Sequence, residues 1–310
     1  MRSNRRAFIG ALASTFVAPT VHARATQPDA SALPHPDAGF EVHELTFAKT
    51  SRTIQRTRVY VPHGLTQDRA WPVAVLLHGY AQALADERAL AAWRAEYNVL
   101  EAYETLSSGD VRPTPALGDA RVDEIKSELE ATPFSGMVLV TPITPIPYFQ
   151  RDLGQTLTRY ADWIHNDLLP SVADIAPIST APEHLGLSGV SMGGLVGLEL
   201  MWRFPERFGA YCGIQIAIKQ AEAPRYAWLL RKAFERVEGG HGRPIRVVTA
   251  TRDTYRWSNQ AFYKALVRNK LEASLELRPG THTARWMRQA GSLESLLWLD
   301  RTLNRGRVHK

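Results

Sequence analysis

The stretch Leu187-Ser188-Gly189-Val190-Ser191-Met192-Gly193-Gly194 decides how the rest of the chain is read. It joins an apolar run, His184 to Ser188, to an amphipathic segment, Leu195 to Trp202, that stops at Phe204-Pro205. That order predicts a buried strand, a tight turn and a helix, the helix ending where proline removes a backbone donor. In a Gly-x-Ser-x-Gly turn the serine sits at a strained corner. The residues two before and two after it must be small for strand and helix to approach. Its oxygen then stands at the helix N-terminus, where the positive end of the dipole favours developing negative charge. The competing reading, a glycine-rich phosphate cradle, finds neither Gly-x-Gly-x-x-Gly nor Gly-x-x-x-x-Gly-Lys-Ser/Thr here.

A serine hydroxyl is a weak nucleophile at neutral pH and needs a base that is itself oriented by an acid. Three histidines follow Ser191: His241, His282 and His309. His309 is next to the C-terminus, and His241 precedes the strand expected to carry the acid. His282 follows the alternating run Leu271–Leu277 in Arg278-Pro279-Gly280-Thr281-His282, where the order serine, acid, histidine requires the base. Asp253 closes Thr249-Ala250-Thr251-Arg252-Asp253 after the apolar run Pro244–Ala250, and is the expected acid; a helix-capping aspartate is the plainer alternative. Upstream, His78-Gly79-Tyr80 ends the apolar run Pro72–Leu77. The backbone amides of Tyr80 and Met192 are the expected oxyanion hole, and His78 is read as a turn-structuring residue rather than a proton carrier.

Further out, apolar runs alternate with helical patterns. Glu41–Phe47 and Thr53–Val61 suggest an opening antiparallel pair, and Gly136–Thr141 another buried strand. Helical spacing covers Asp86–Leu106, Tyr160–Val172, Gly193–Phe204, Asn259–Asn269 and Ala284–Leu303. This alternation predicts an α/β protein, with a mostly parallel central sheet and helices on both faces. One domain over residues 40–310 is the simplest account, with residues 81–133 as a largely helical insertion after the His-Gly strand.

The chain has 310 residues, 45% hydrophobic and 22% charged, the mix of an ordinary globular protein. Its net charge of +6 is mostly local. Residues 1–25 hold Arg2, Arg5, Arg6 and Arg24 and no acid, leaving 33 basic against 31 acidic side chains in the remainder. So balanced a remainder gives no support for nucleic acid or an anionic membrane as partner. Residues 1–25 themselves read as a secretory leader, with a basic start, an apolar stretch from Ala7 to Val21 and a small-x-small end at Ala23-Arg24-Ala25. The pair Arg5-Arg6 before Ala7-Phe8-Ile9 resembles a twin-arginine signal, so export to the periplasm or beyond with cleavage near Ala25 is expected. The apolar stretch is too short for stable membrane insertion. Residues 26–39, with Pro28, Pro34 and Pro36, read as a flexible connector. The single cysteine, Cys212, lies in an apolar run and reads as a buried inert thiol.

On these motifs the chain resembles the esterase D-type branch of the α/β-hydrolases. The matching residues are Leu76-Leu77-His78-Gly79, Asp167-Leu168-Leu169-Pro170, Gly189-Val-Ser-Met-Gly-Gly194, Phe204-Pro205-Glu206-Arg207-Phe208-Gly209, and Pro279-Gly280-Thr281-His282 with Trp286 and Leu296-Leu297-Trp298-Leu299. The resemblance covers roughly residues 55–80 and 135–303. It implies an α/β-hydrolase fold, a Ser191–Asp253–His282 triad, the Tyr80 and Met192 amides as oxyanion hole, and hydrolysis of a small-molecule carboxylic ester through an acyl-enzyme. Two features depart from the pattern: Thr141-Pro-Ile-Thr-Pro-Ile-Pro147 replaces the usual aspartate-glycine turn, and residues 81–133 are longer and more helical. Both lie near where acyl and alcohol groups would bind.

Tyr255 and Trp257, just after the acid, and Tyr148 and Arg151, after the proline-rich turn, are the candidates to line the cleft. No His-Glu-x-x-His or Cys-x-x-Cys pattern is present, and nothing indicates a metal or cofactor. Two other functions stand beside hydrolysis: acyl transfer to an alcohol acceptor, and a non-catalytic periplasmic binding protein on a hydrolase fold. The oligomeric state has no signature in the sequence.

Overall fold

The apolar runs become the inner strands of a single eight-stranded sheet. The computed structural model describes residues 39–51, 53–66, 68–238 and 243–305; the leader and nearly all of the connector lie outside them. The strands are β1 (Phe40–Ser51), β2 (Thr53–Pro62), β3 (Val73–Leu77), β4 (Val138–Pro142), β5 (Leu185–Val190), β6 (Ala210–Ile214), β7 (Ile245–Arg252) and β8 (Ala273–Thr281). Their order across the sheet is β1-β2-β4-β3-β5-β6-β7-β8. β1, β2 and β4 pair antiparallel, as the opening alternation predicts, and every pairing from β4 through β3 to β8 is parallel.

The pleat explains why β3 reads as an unbroken apolar run. Val73, Val75 and Leu77 face one core with Leu187, Val196 and Phe262, while Ala74 and Leu76 face the other with Trp93, Trp286 and Leu296. A strand buried on both faces has no solvent side to mark with polar residues. The second core is built largely from the segment read as an insertion: Trp93, Tyr97, Val99, Tyr103, Leu106, Val122 and Ile125 all pack there. Of its helices, Val99–Ser108 packs against the final helix, Ser292–Leu303, Asp119–Ala131 is ion-paired to it through Arg121 and Glu128, and Asp86–Ala91 lies against β2 and β4.

Several elements differ from their sequence reading. The pattern Asp86–Leu106 is broken by a π turn, Ala92–Glu96, and by Asn98 at φ 51°, a conformation that asparagine tolerates better than most residues. The helix read from Tyr160 begins at Leu153, where the Asp152 side chain accepts from the Gln155 amide at 2.9 Å. Strand β6 is short and contains Gly213, so it read only as the surroundings of Cys212. That thiol is buried, and burial pushes it up to about 12. A helix at Ala223–Phe234 went unread; Pro224 opens it rather than breaking it. Among the described residues no helix is long and apolar enough to cross a membrane, and no cluster of three or more His, Cys, Asp or Glu is placed to hold a metal ion.

One buried charge cluster joins the insertion to the sheet. Glu294, fully buried in the last helix, accepts two bonds from Arg121 at 2.8 Å each and one from Arg278 at 3.1 Å, with Arg246 at 3.4 Å. The three guanidiniums hold the Glu294 carboxyl below its ordinary range despite burial. The neighbouring Glu276 shares Arg246 and Arg278 but is pushed up by burial and by Glu294. Removing the shared anion leaves three mostly buried cations short of a partner. Glu294→Ala is predicted to destabilise the protein by about 3–5 kcal/mol, read from the denaturant midpoint.

Candidate active site

The turn at Ser191 is held in an unusual shape by its neighbours. Ser191 has φ 57° and ψ −115°, between the end of β5 and the helix Met192–Arg203. Its amide donates to Ile214 at 2.8 Å, and its carbonyl accepts from Leu195 and Ala217 at 3.1 Å each. The flanking glycines are required by contact. A Cβ on Gly189 would stand 2.3 Å from the Gly193 carbonyl oxygen, and one on Gly193 would stand 2.2 Å from that of Leu77. The end of β3 is thereby pressed against the start of the helix.

Two loops at the same end of the sheet bring the other polar groups to the serine. His282 follows β8, and its Nε2 lies 3.1 Å from Ser191 Oγ. Its Nδ1 lies 2.8 Å from Asp253 Oδ1, beyond the end of β7. The carboxylate side chain is fully buried, whereas the imidazole is 29% exposed. Facing a buried carboxylate, Nδ1 carries the proton, which leaves the Nε2 lone pair toward the serine hydroxyl. Asp253 is satisfied on both oxygens: Oδ2 accepts from the buried Thr249 hydroxyl at 2.7 Å, and Oδ1 also accepts from the Tyr255 amide at 3.1 Å. Thr249 was not read as part of the site. Its only signal is a buried polar residue within the Val247–Ala250 stretch of the strand, four residues before the acid.

His78 is buried and stands apart from proton transfer. Its Nε2 accepts from the Thr144 amide at 2.9 Å, so Nδ1 carries the hydrogen and donates to the Gly79 carbonyl at 3.0 Å. Because a trans peptide is planar, holding the Gly79 carbonyl aims the Tyr80 amide the opposite way. The Gly79 amide itself donates to the Tyr97 hydroxyl at 3.3 Å. Thr144 belongs to the proline-rich segment that departs from the family pattern, and Tyr97 to the insertion. Both odd segments thus brace this turn. Met192 opens its helix, where the first amides have no partner within the helix.

Among the expected lining residues, the tyrosines gather and the others do not. Tyr255 meets the His282 ring edge-on at 5.4 Å between centroids, and Tyr80 meets Tyr148 at 5.9 Å. Partial burial, with Tyr255 and Tyr80 nearby, holds the Tyr148 phenol above its ordinary range. Trp257 instead lies beneath the Arg256 guanidinium, 4.4 Å from its ring, and lines a surface hollow of ≈ 390 Å³ with Pro224, Gln260 and Lys264. Arg151 is exposed, and among the described residues no contact joins it to the triad. A larger hollow of ≈ 540 Å³, lined by Glu183, Glu206, Arg243 and Pro244, sits at the opposite end of the strands and shares no residue with this site.

No protein-family model and no curated protein sequence matches the chain. Solved structures do. A ferulic acid esterase shares 17% identity at a TM-score of 0.60, over 85% of this chain and 99% of its own. The S-formylglutathione hydrolase of Staphylococcus aureus shares 15% at 0.60, over 84% and 99%. The enterobactin esterase of Shigella flexneri shares 20% at 0.52, over 88% and 61%. At such identities the likeness carries the fold, and the chain has the α/β-hydrolase fold.

Burial holds the His78 imidazole well below its ordinary value, at about 4. The unfolded chain therefore takes up this proton first, and acidification from pH 6.5 to about 4 withdraws up to ~3 kcal/mol of stability through His78. Nitrogen NMR should show His78 neutral, with hydrogen on Nδ1, down to about pH 4. Protonation near its ordinary value of 6.5 would contradict this placement.

Proposed function

We propose that the protein is a serine carboxylester hydrolase, of the esterase D-type branch its motifs resemble. The observation that carries the reading is the hydrogen-bonded chain from Ser191 through His282 to the buried Asp253, at 3.1 and 2.8 Å, set on a strained turn at a helix N-terminus. Ser191 Oγ attacks the ester carbonyl carbon while His282 Nε2 takes the serine proton. Asp253 holds the tautomer and stabilises the imidazolium. The amides of Tyr80 and Met192 bind the oxyanion. As the tetrahedral intermediate collapses, the carbon–oxygen bond to the alcohol breaks and His282 returns the proton to the leaving oxygen. Water, deprotonated by His282, then attacks the acyl-enzyme carbonyl; the bond to Ser191 Oγ breaks, His282 returns the proton to that oxygen, and the carboxylic acid leaves.

The open edge of His282 supports water rather than a second alcohol as the usual acceptor, because a site built for acyl transfer excludes water. A binding protein would have no use for a serine, base and buried acid in hydrogen-bonded sequence. The tyrosines Tyr80, Tyr148 and Tyr255 make the mouth aromatic, which supports esters with an apolar or aromatic group beside the scissile bond. The basic, twin-arginine-like leader supports export and action outside the cytoplasm.

Ser191→Ala should lower kcat for a chromogenic ester by ~10⁴-fold or more while the melting temperature holds. A variant retaining most of its turnover would sink the proposal. Tyr148→Ala should raise KM for an aryl ester roughly 3- to 10-fold with little change in kcat, as expected for lost ring contact. An unchanged KM would remove Tyr148 from the substrate surface.

A further inference from the structure

Ser191, His282 and Asp253 sit on three loops that share a fourth neighbour, the turn Ile214–Ala217 after β6. Its backbone brackets the serine: the Ile214 carbonyl takes the Ser191 amide at 2.8 Å, and the Ala217 amide gives to the Ser191 carbonyl at 3.1 Å. It is tied to the acid loop through the buried Asn259. That side chain accepts from the Ile216 amide and donates to the Ile216 carbonyl, both at 2.9 Å, and to the Tyr255 carbonyl at 2.8 Å.

The tie to the base loop is the side chain of Gln215. This residue is 1% exposed and has φ 48°, a left-handed backbone that a glutamine adopts only under constraint. Its amide donates to Val248 of β7 at 2.7 Å. Its Nε2 donates to the Thr281 carbonyl at 3.1 Å. That oxygen also accepts from the Thr283 amide at 3.0 Å, so its two bonds bracket His282. The Thr281 carbonyl belongs to the peptide that leads into the His282 Cα, and fixing it fixes the plane from which the imidazole springs. The ring itself is partly open to solvent, with hydrogen bonds to Ser191 and Asp253 and the edge of Tyr255 beside it. Its backbone therefore shares with Asp253 in setting its position.

We propose that Gln215 is a positioning residue for the reaction, holding the His282 loop in register with Ser191 through the Thr281 carbonyl. This rests on reading Ser191 and His282 as nucleophile and base. A small displacement of a base from its nucleophile is costly to rate and nearly neutral to substrate binding. The role belongs to the kcat of the ester reaction, and Gln215 acts on it only through His282.

The test compares Gln215→Met, which keeps the length and the unbranched Cβ but cannot donate, with wild type in two backgrounds, native and His282→Ala. Turnover of p-nitrophenyl acetate is recorded in both backgrounds, and the NMR resonance of the His282 Nδ1 proton in the native one. In the native background kcat should fall roughly tenfold at unchanged KM, and the Nδ1 proton should shift and exchange faster. In the His282→Ala background the substitution should leave the residual rate unaltered, because Gln215 then has nothing to position. An equal fold-loss in both backgrounds, or an unmoved Nδ1 proton, would overturn the proposal. Gln215→Gly, which accepts the left-handed backbone freely, carries the same comparison if the methionine variant does not fold. Wild-type protein without turnover would count against the hydrolase reading, and the Nδ1 resonance would still decide the role of Gln215.

Discussion

The structure depends on a close approach of three backbones. The end of β3, the end of β5 and the first turn of the helix after Ser191 meet with no room for a side chain at Gly189 or Gly193. A non-glycine residue held at φ 57° costs on the order of 1–2 kcal/mol, and such a residue persists only where its surroundings over-determine it. Here they do so with backbone bonds to Ile214, Leu195 and Ala217. The fully buried parallel strands on either side cannot shift to relax the turn, because each is packed on both faces. The result is a hydroxyl lifted above the sheet at a helix N-terminus, with two neighbouring loops placed to serve it.

How far this was legible in the sequence follows from which interactions are local. The corner at Ser191 announces itself in eight consecutive residues, Leu187–Gly194, because strand, turn and helix are all short-range. His282 and Asp253 were reachable because chain order, one strand apart, constrains them. Gln215 and Asn259 were not, since each acts through a contact with a distant part of the chain, and Thr249, though only four residues from the acid, is of a type common in any strand. Strand β6 and the helix Ala223–Phe234 failed for a different reason. Gly213 weakens the strand pattern, and Pro224 looks like a breaker until its place in the first helical turn is known. Trp257 and Arg151, near the acid and the proline-rich turn in sequence, have no contact with the triad among the described residues.

The two segments that depart from the family pattern acquire a physical role in this arrangement. Thr144, in the proline-rich stretch, fixes the tautomer of His78, and His78 in turn holds the Gly79–Tyr80 peptide. Tyr97, in the helical segment, takes the Gly79 amide and is itself tied to the last helix by the Ser292 hydroxyl at 2.7 Å. The extra helices are bound to the body of the molecule by a shared core and by the ions around Glu294. They act as a buttress behind the turn that would bind the oxyanion. The unusual sequence thus supports the Gly79–Tyr80 turn from behind, while Tyr80, Tyr148 and Tyr255 stand beside the serine and its histidine.

The central claim is that Ser191 is an activated nucleophile, and its reaction with a fluorophosphonate tests this most directly. The protein is incubated with the probe, digested, and the modified residue mapped by mass spectrometry. The account predicts a single adduct on Ser191, formed at neutral pH and lost in His282→Ala. A folded protein that takes no label, or takes it on another residue, would contradict it.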